Sequence, residues 1–586
     1  MNKLYITAFA FVTALLTVAC SKPADDNTPG QQELAVPTNL ALHSATNNTL
    51  TFQWSAVEGA RGYEWLLTGE GDYRQSGTTS KRNQKVENLT AGTKYSFSVQ
   101  AVGDGVKSGY CSPVEATTTG SKPTPPDPSA TVLCVDAPLV VEVGSGATLG
   151  TSGLIKVFKA DDTLVDTIDL GDMGKMDVLE DGTMIPKGAD ADKNQIAIGN
   201  DYVMHTFMDV LHSNQYRPVH YTPLRLESGK LIIKLHNEAL DFGQSYYVTV
   251  DASVAGKAVA KDDMPFTTKA KPTGTTLQVK ADGSGDFCTV QGALSYASTL
   301  NKDAEVTLEI ANGTYRELLF LRGKNNITLK GQSRDGVKIA YPNNDSYETG
   351  SGASVASKPS VGSSIGKSGG RCLFLIETCN NVTLQDLTIE NTYSIPSHKG
   401  QAETIYFNAD GKRLIIENCS LISWQDTFLC KGEVYVHNSL IAGHVDFIWG
   451  YPKACLFENC EIRSRAGGYI VQARINNASD KGFVFLNCNL TAESGVADGS
   501  MYLARSAGQS DCIDNVTYVN CSMTSAIAPA GWYTNPAPNP SAPTATSGWK
   551  EYGTRGVSTA SRNAYGKLLT ATEAEAFSSK AAVLGW

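Results

Sequence analysis

Between residues 382 and 520 short β-rich runs recur, and each closes on an asparagine: VTLQDLTIEN at Asn391, RLIIEN at Asn418, EVYVHN at Asn438, ACLFEN at Asn459, FVFLN at Asn487 and VTYVN at Asn520. The intervals are 27, 20, 21, 28 and 33 residues. A single such run cannot bury its own apolar face. Stacking on its neighbours is what a series of them demands, so the spacing predicts a parallel β-solenoid whose loops of varying length leave one side. Asparagines stacked at a coil corner are the structural reading of the repeated Asn. Cys419, Cys460, Cys488 and Cys521 each follow one of them. Recurrence at one point of a repeat favours buried, stacked thiols over a disulfide framework, which an exported chain would permit.

The rest of the chain is organised differently. At 586 residues it exceeds one ordinary core and implies two to four domains. The 49 basic and 59 acidic residues give a net charge of −10, which argues against nucleic acid as a partner. The start, MNKLYITAFAFVTALLTVAC, has a basic Lys3, a short apolar run and small residues before Cys20. This pattern predicts an export signal at 1–19 rather than a membrane span. TVAC resembles a bacterial lipobox, so Cys20 is the expected lipidation site, 20–33 a tether, and the outer membrane, periplasmic or surface facing, the expected location.

From 34 to 119 the chain alternates in short strands such as LTFQW, YEWLL and YSFSVQAV. With Trp54, Leu89 and Tyr95 so placed, it resembles a fibronectin type III sandwich. A Pro-rich linker at 120–129 leads to further alternation over 130–270, which resembles bacterial Ig-like modules. Both sandwiches read as spacers or weak sugar binders, so a chain beginning near Thr275 is expected to fold and work alone unless they cover part of the solenoid.

The stretch WQDTFLCKGEVYVHNSLIAGHVDFIWG, 424 to 450, places Asp426 and Asp446 among apolar neighbours, 20 residues apart. If one coil takes about 20 residues there, the two carboxylates stand on successive rungs ~4.8 Å apart. Like charges at that range do not both ionise cheaply, so one holds a proton while the other stays anionic. That division supplies an acid and a nucleophile. Gln425, and Gln401 in GQAETIYF about one rung back, offer amide donors for a developing oxyanion. Arg505 in YLARSAG is a permanent cation able to keep one aspartate ionised.

At these residues the sequence resembles the pectin methylesterases, β-helical carbohydrate esterases. NGTYRE (312–317), GQAETIYF, WQDTF, VDFIWG, PAGWYT (529–534) and EYGTRGVSTASR (551–562) match that family's ordered elements over roughly 275–586. The resemblance implies an all-β chain with a right-handed parallel β-helix catalytic domain behind two β-sandwiches. It implies a monomeric hydrolase acting on the methyl esters of pectin (homogalacturonan), with no metal or organic cofactor. Asp446 becomes the nucleophile, Asp426 the general acid and then base, Gln401 and Gln425 the oxyanion donors, and Arg505 the group orienting Asp446. Trp449, Tyr315, Thr404 and Phe447 become candidate substrate-binding residues.

Two departures bear on substrate. The family's Leu-Gly-Arg-Pro-Trp is LARSA here, so Ala507 replaces a sugar-stacking Trp, and Trp449 replaces the Phe of the nucleophile motif. An esterase or thioesterase on another substrate, or an inactive glycan-binding solenoid, are the rival readings. The intact set Gln401, Gln425, Asp426, Asp446 and Arg505 disfavours the binder.

Overall fold

The computed structural model describes residues 34–119 except 71–72, and 131–586 except 172–175, 179–183, 187–205, 213–214, 222, 346–347, 349, 354, 358–368 and 394–399. The signal, Cys20, the tether and the Pro-rich linker lie outside the described residues. Two compact units divide after Pro123.

In the first unit, alternation of period two sends every second side chain inward. A three-stranded sheet (Ala41–Ala45, Leu50–Gln53, Asn83–Val86) and a four-stranded sheet (Arg74–Thr79, Gly62–Thr68, Lys94–Val102, Val114–Thr117) share one core. Leu50, Phe52, Trp54, Trp65, Leu89, Tyr95 and Phe97 fill it. The Tyr95 hydroxyl accepts a hydrogen bond from the Thr90 amide at 2.9 Å, which satisfies its polar end within the sandwich.

The second unit begins with two sheets around a common core: Leu139 and Ile233 from the smaller sheet meet Ile155, Val248 and Phe266 from the larger. This part is bonded into the solenoid C-terminal to it. Arg217, on strand Gln215–Tyr221, is 0% exposed. Its guanidinium donates to the carbonyls of Gly369, Gly370, Cys372, Leu319 and Leu373. Val219 from the same strand packs in the solenoid core. Asp136 accepts hydrogen bonds from the amides of Cys288 and Thr289 just before helix Val290–Thr299. The stretch 131–268 therefore braces the solenoid, through Asp136 between the first two sandwich strands and through Arg217 and Val219 on a strand of a separate sheet that also holds Ala356–Ser357.

From Thr276 to Leu568 a 22-stranded, predominantly parallel ladder winds as a parallel β-helix. Parallel register puts like positions above one another, as in the inward column Leu308, Leu329, Leu384, Ile416, Val436, Phe457, Phe485, Tyr518. Near its C-terminal end the column is aromatic, with Phe457 on Phe485 at 4.7 Å and Phe485 on Tyr518 at 4.5 Å between ring centroids. Helix Val290–Thr299 packs on the first coils, and the Glu317 carboxylate caps it by accepting from the amides of Val290 and Gln291, both at 2.8 Å.

The corner asparagines have a different cause from the one expected. Asn418, Asn438, Asn459, Asn487 and Asn520 all have φ between 50° and 55°, the left-handed region that asparagine tolerates better than most side chains. The continuous side-chain ladder expected of them does not form. Asn418 bonds Asp386, whereas Asn438 bonds Glu417 and Asn459 lies against His437. Asn391 does not belong to the series: the matching corner one coil earlier is Asp386, φ 56°. Asn391 instead pins Asn343 through its backbone amide and carbonyl. The cysteines after these corners are buried free thiols, each donating to the carbonyl two residues earlier: Glu417, Glu458, Leu486 and Val519.

Candidate active site

Ile405 pairs with Phe428 and Phe428 with Ile448. Two residues before each stand Glu403, Asp426 and Asp446, so three carboxylates occupy corresponding places on three successive coils. Asp426 and Asp446 adopt φ of 64° and 48°, which interrupts the in-and-out alternation of a strand at both positions. Each is 3% exposed.

Their surroundings differ, and the difference sorts their chemistry. Arg505 donates Nε to Asp446 Oδ1 at 2.7 Å and Nη2 to Oδ2, while Gln472 Nε2 donates to Oδ2 at 2.8 Å. Both oxygens of Asp446 thus face donors, as an anion requires. Asp426 takes both its donors on Oδ2, from Gln401 Nε2 at 2.8 Å and Arg371 Nη2 at 3.2 Å. Oδ1 receives no hydrogen bond from a described residue, which leaves it free to carry a proton.

Burial, and after it the Glu403 carboxylate, push the Asp426 carboxyl well above the usual carboxylate range, against the pull of Arg371. Burial also raises Asp446, but the hydrogen bond and charge of Arg505 oppose it. Asp446, one coil on, adds like-charge repulsion to the rise at Asp426. Asp446 is the member that ionises first.

The other predicted residues fall into two groups. Gln425 pairs its backbone with Gln401, is half-buried, and its amide makes no hydrogen bond with a described residue. Of the two glutamines it is the one free to meet a substrate oxygen, since Gln401 is committed to Asp426. The substrate-binding candidates do not lie where a sugar could reach them. Tyr315 is in the core of the first coils, its hydroxyl donated to the Ala311 carbonyl at 2.8 Å. Thr404 is fully buried and donates to the Thr427 carbonyl at 2.8 Å. Phe447 is part of the apolar interior. Tyr315 and Phe447 sit on strands with their side chains turned into the interior, and Thr404 lies just before strand Ile405–Asn408. Trp449 is beside the site but 6% exposed. The guanidinium groups of Arg474 at 4.7 Å and Arg371 at 5.9 Å lie over its ring, so it packs between charges rather than offering an open face.

Several residues of the site were not singled out from the sequence. Gln472, one coil beyond Trp449, is a lone amide in the apolar run YIVQA. Arg371 and Glu403 form a buried pair at 3.0 to 3.1 Å. Beside Arg505, where Ala507 leaves a gap in the family pattern, Tyr469, Tyr502 and Tyr533 form a half-buried cluster with centroids 4.8 to 6.0 Å apart. Arg505 covers the Tyr469 ring at 4.7 Å. The only sequence signal for the cluster was three separate tyrosines on different coils.

Residues 276–585, more than half of the chain, match the family model described as Pectinesterase, and residues 35–117 match that of the fibronectin type III domain. The chain is similar to Pectinesterase 31 of Arabidopsis thaliana, 31% identical over 260 residues, covering 44% of this chain and 76% of that one. It is also similar to Pectinesterase A of Emericella nidulans, 28% identical over 285 residues, covering 48% and 81%. Among solved structures, the pectin methylesterase PemA from Erwinia chrysanthemi aligns at 24% identity with a TM-score of 0.44, over 54% of this chain and 98% of that one.

Proposed function

The chain belongs to the pectinesterase family, and on that premise we propose that it hydrolyses the methyl esters of galacturonate units in pectin, releasing methanol. The observation that carries the reading is the unequal pair: Asp446 with donors on both oxygens, and Asp426 with one oxygen free. Asp446 attacks the ester carbonyl carbon, and the oxyanion is met by the Gln425 amide. As the carbonyl re-forms, the bond to methoxide breaks and Asp426 gives up its proton, so methanol leaves neutral and an acyl-enzyme remains on Asp446. Asp426, now a carboxylate, takes a proton from water; the hydroxide attacks the acyl carbon, Asp446 departs as an anion, and Asp426 is again protonated. Methanol release from highly methylated homogalacturonan, set against release from simple acyl esters and thioesters, tests the assignment. Preference for the acyl or thioester substrates would reject it.

The tyrosine cluster is the proposed sugar-stacking surface in place of the Trp missing at 507. Tyr502→Ala is expected to raise KM for the polymer about 3- to 10-fold with kcat little changed, the worth of one aromatic contact that does not touch the reacting atoms. A fall in kcat at constant KM would remove Tyr502 from the binding surface.

Export and anchoring complete the proposal, and they rest on the sequence around TVAC. Among the described residues no helix is long and apolar enough to cross a membrane. If Cys20 carries lipid, the protein fractionates with membranes and Cys20→Ala releases it or leaves it unprocessed. Wild-type protein found wholly in the soluble fraction would reject the anchor.

A further inference from the structure

Asp426 is the middle of three carboxylates in one column, with Asp446 one coil on and Glu403 one coil back. Glu403 takes no part in the proposed reaction. It is 0% exposed, and both its oxygens accept from Arg371 Nε, at 3.1 and 3.0 Å. The same guanidinium reaches on to Asp426 Oδ2 at 3.2 Å. A buried ion pair contributes little to stability on balance, because desolvation offsets attraction. Its presence directly under a reacting group therefore needs a different explanation.

A lone arginine on Asp426 would favour the carboxylate and strip the acid of its proton. A lone glutamate below would leave an uncompensated buried anion. Together they hold Asp426 Oδ2 by a donor while adding little net charge, and they set a second anion on the far side of Asp426 from Asp446. We propose that Glu403 and Arg371 are a positioning pair that keeps the transferable proton on Asp426 Oδ1 and fixes that carboxyl in its rotamer. This rests on the roles given above to Asp426 and Asp446. The other charged or titratable groups acting on this assembly include Asp446, Arg474 and Arg505 on later coils, Cys372 and Tyr406 beside Glu403, and Asp345 and Tyr393 beside Arg371 and Asp426. Of these only Asp446 is an anion facing Asp426 from a neighbouring coil, and it must ionise for reaction.

The test is the pH profile of kcat/KM for methanol release, with the acid limb assigned to ionisation of Asp446 and the alkaline limb to loss of the Asp426 proton. Glu403→Gln keeps the shape and removes an anion that favours the protonated acid. Its alkaline limb is expected to move down by about 1–3 pH units, the usual effect of one charge at this range. The acid limb should hold, because Glu403 stands two coils from Asp446, about twice the rung spacing. Arg371→Gln keeps a donor for Oδ2 and removes the cation, so its alkaline limb should move up, and the double variant should lie between the two. Either single variant suffices if the other does not fold. Equal loss at every pH with unmoved limbs, or shifts of the same sign in both variants, would overturn the pair. Wild-type enzyme that releases no methanol, or shows no two-limbed profile, would instead overturn the roles beneath it.

Discussion

Asp446→Asn is expected to reduce methanol release by about 10⁴-fold or more, because the amide keeps the shape of the nucleophile without its anion. Asp426→Asn should lose about 10²–10⁴-fold, the usual worth of a general acid. The leaving group separates them. A trifluoroethyl ester of the same oligogalacturonide releases an alcohol that needs little protonation. It should partly rescue acylation by Asp426→Asn and leave Asp446→Asn inactive. Deacylation then limits the rescued variant, since the same residue serves as base, and a burst of alcohol followed by a slow phase is the expected trace. Rescue of Asp446→Asn alone, or equal rescue of both, would show that acid and nucleophile are reversed or that no acyl-enzyme forms. Thermal unfolding against pH gives an independent reading. The Asp426 carboxyl is held above its unfolded value, so the stability it lends is present below about pH 4 and is lost as pH rises through its folded value. Asp426→Asn has no such group, and its melting temperature should gain on wild type across that rise.

Arg217→Met is expected to destabilise the second unit by about 3–5 kcal/mol, as removal of a fully buried, fully bonded cation does. Five carbonyls lose a donor, among them those of Gly370 and Cys372, which flank Arg371 in the chain. Methionine fills much of the volume but offers no hydrogen. Activity should fall with stability because Arg371 reaches Asp426. A chain beginning at Thr275 loses Arg217, Val219 and Asp136 together, and should not fold to an active enzyme. Denaturant unfolding of the full chain and activity of the shortened one check both points. A shortened chain with wild-type turnover would show the sandwich to be a passenger.

The solenoid, its column of apolar residues and the opposed aspartates were legible because each depends on periodicity, and a period is a local property of sequence. The corner asparagines were legible as a position but not as a cause. Their left-handed backbone angle appears only once the chain is seen to turn, and Asp386 rather than Asn391 turns out to fill the earlier corner. Tyr315, Thr404 and Phe447 were misplaced because a motif gives neighbours along the chain but not which face of a strand a side chain takes.

The sequence by itself determined that coils stack, that Asp426 and Asp446 meet across one rung, and that Arg505 and two glutamines accompany them, since parallel register converts spacing along the chain into height along the solenoid. Only the tertiary structure decided what lies across the coil rather than along it. Arg371 reaches Asp426 from 55 residues away, and Arg217 grips the segment around Arg371 from 152 to 156 residues away. Such contacts leave no period to read, because loop lengths are free to vary while hydrogen bonds between distant groups depend on where each loop returns the chain.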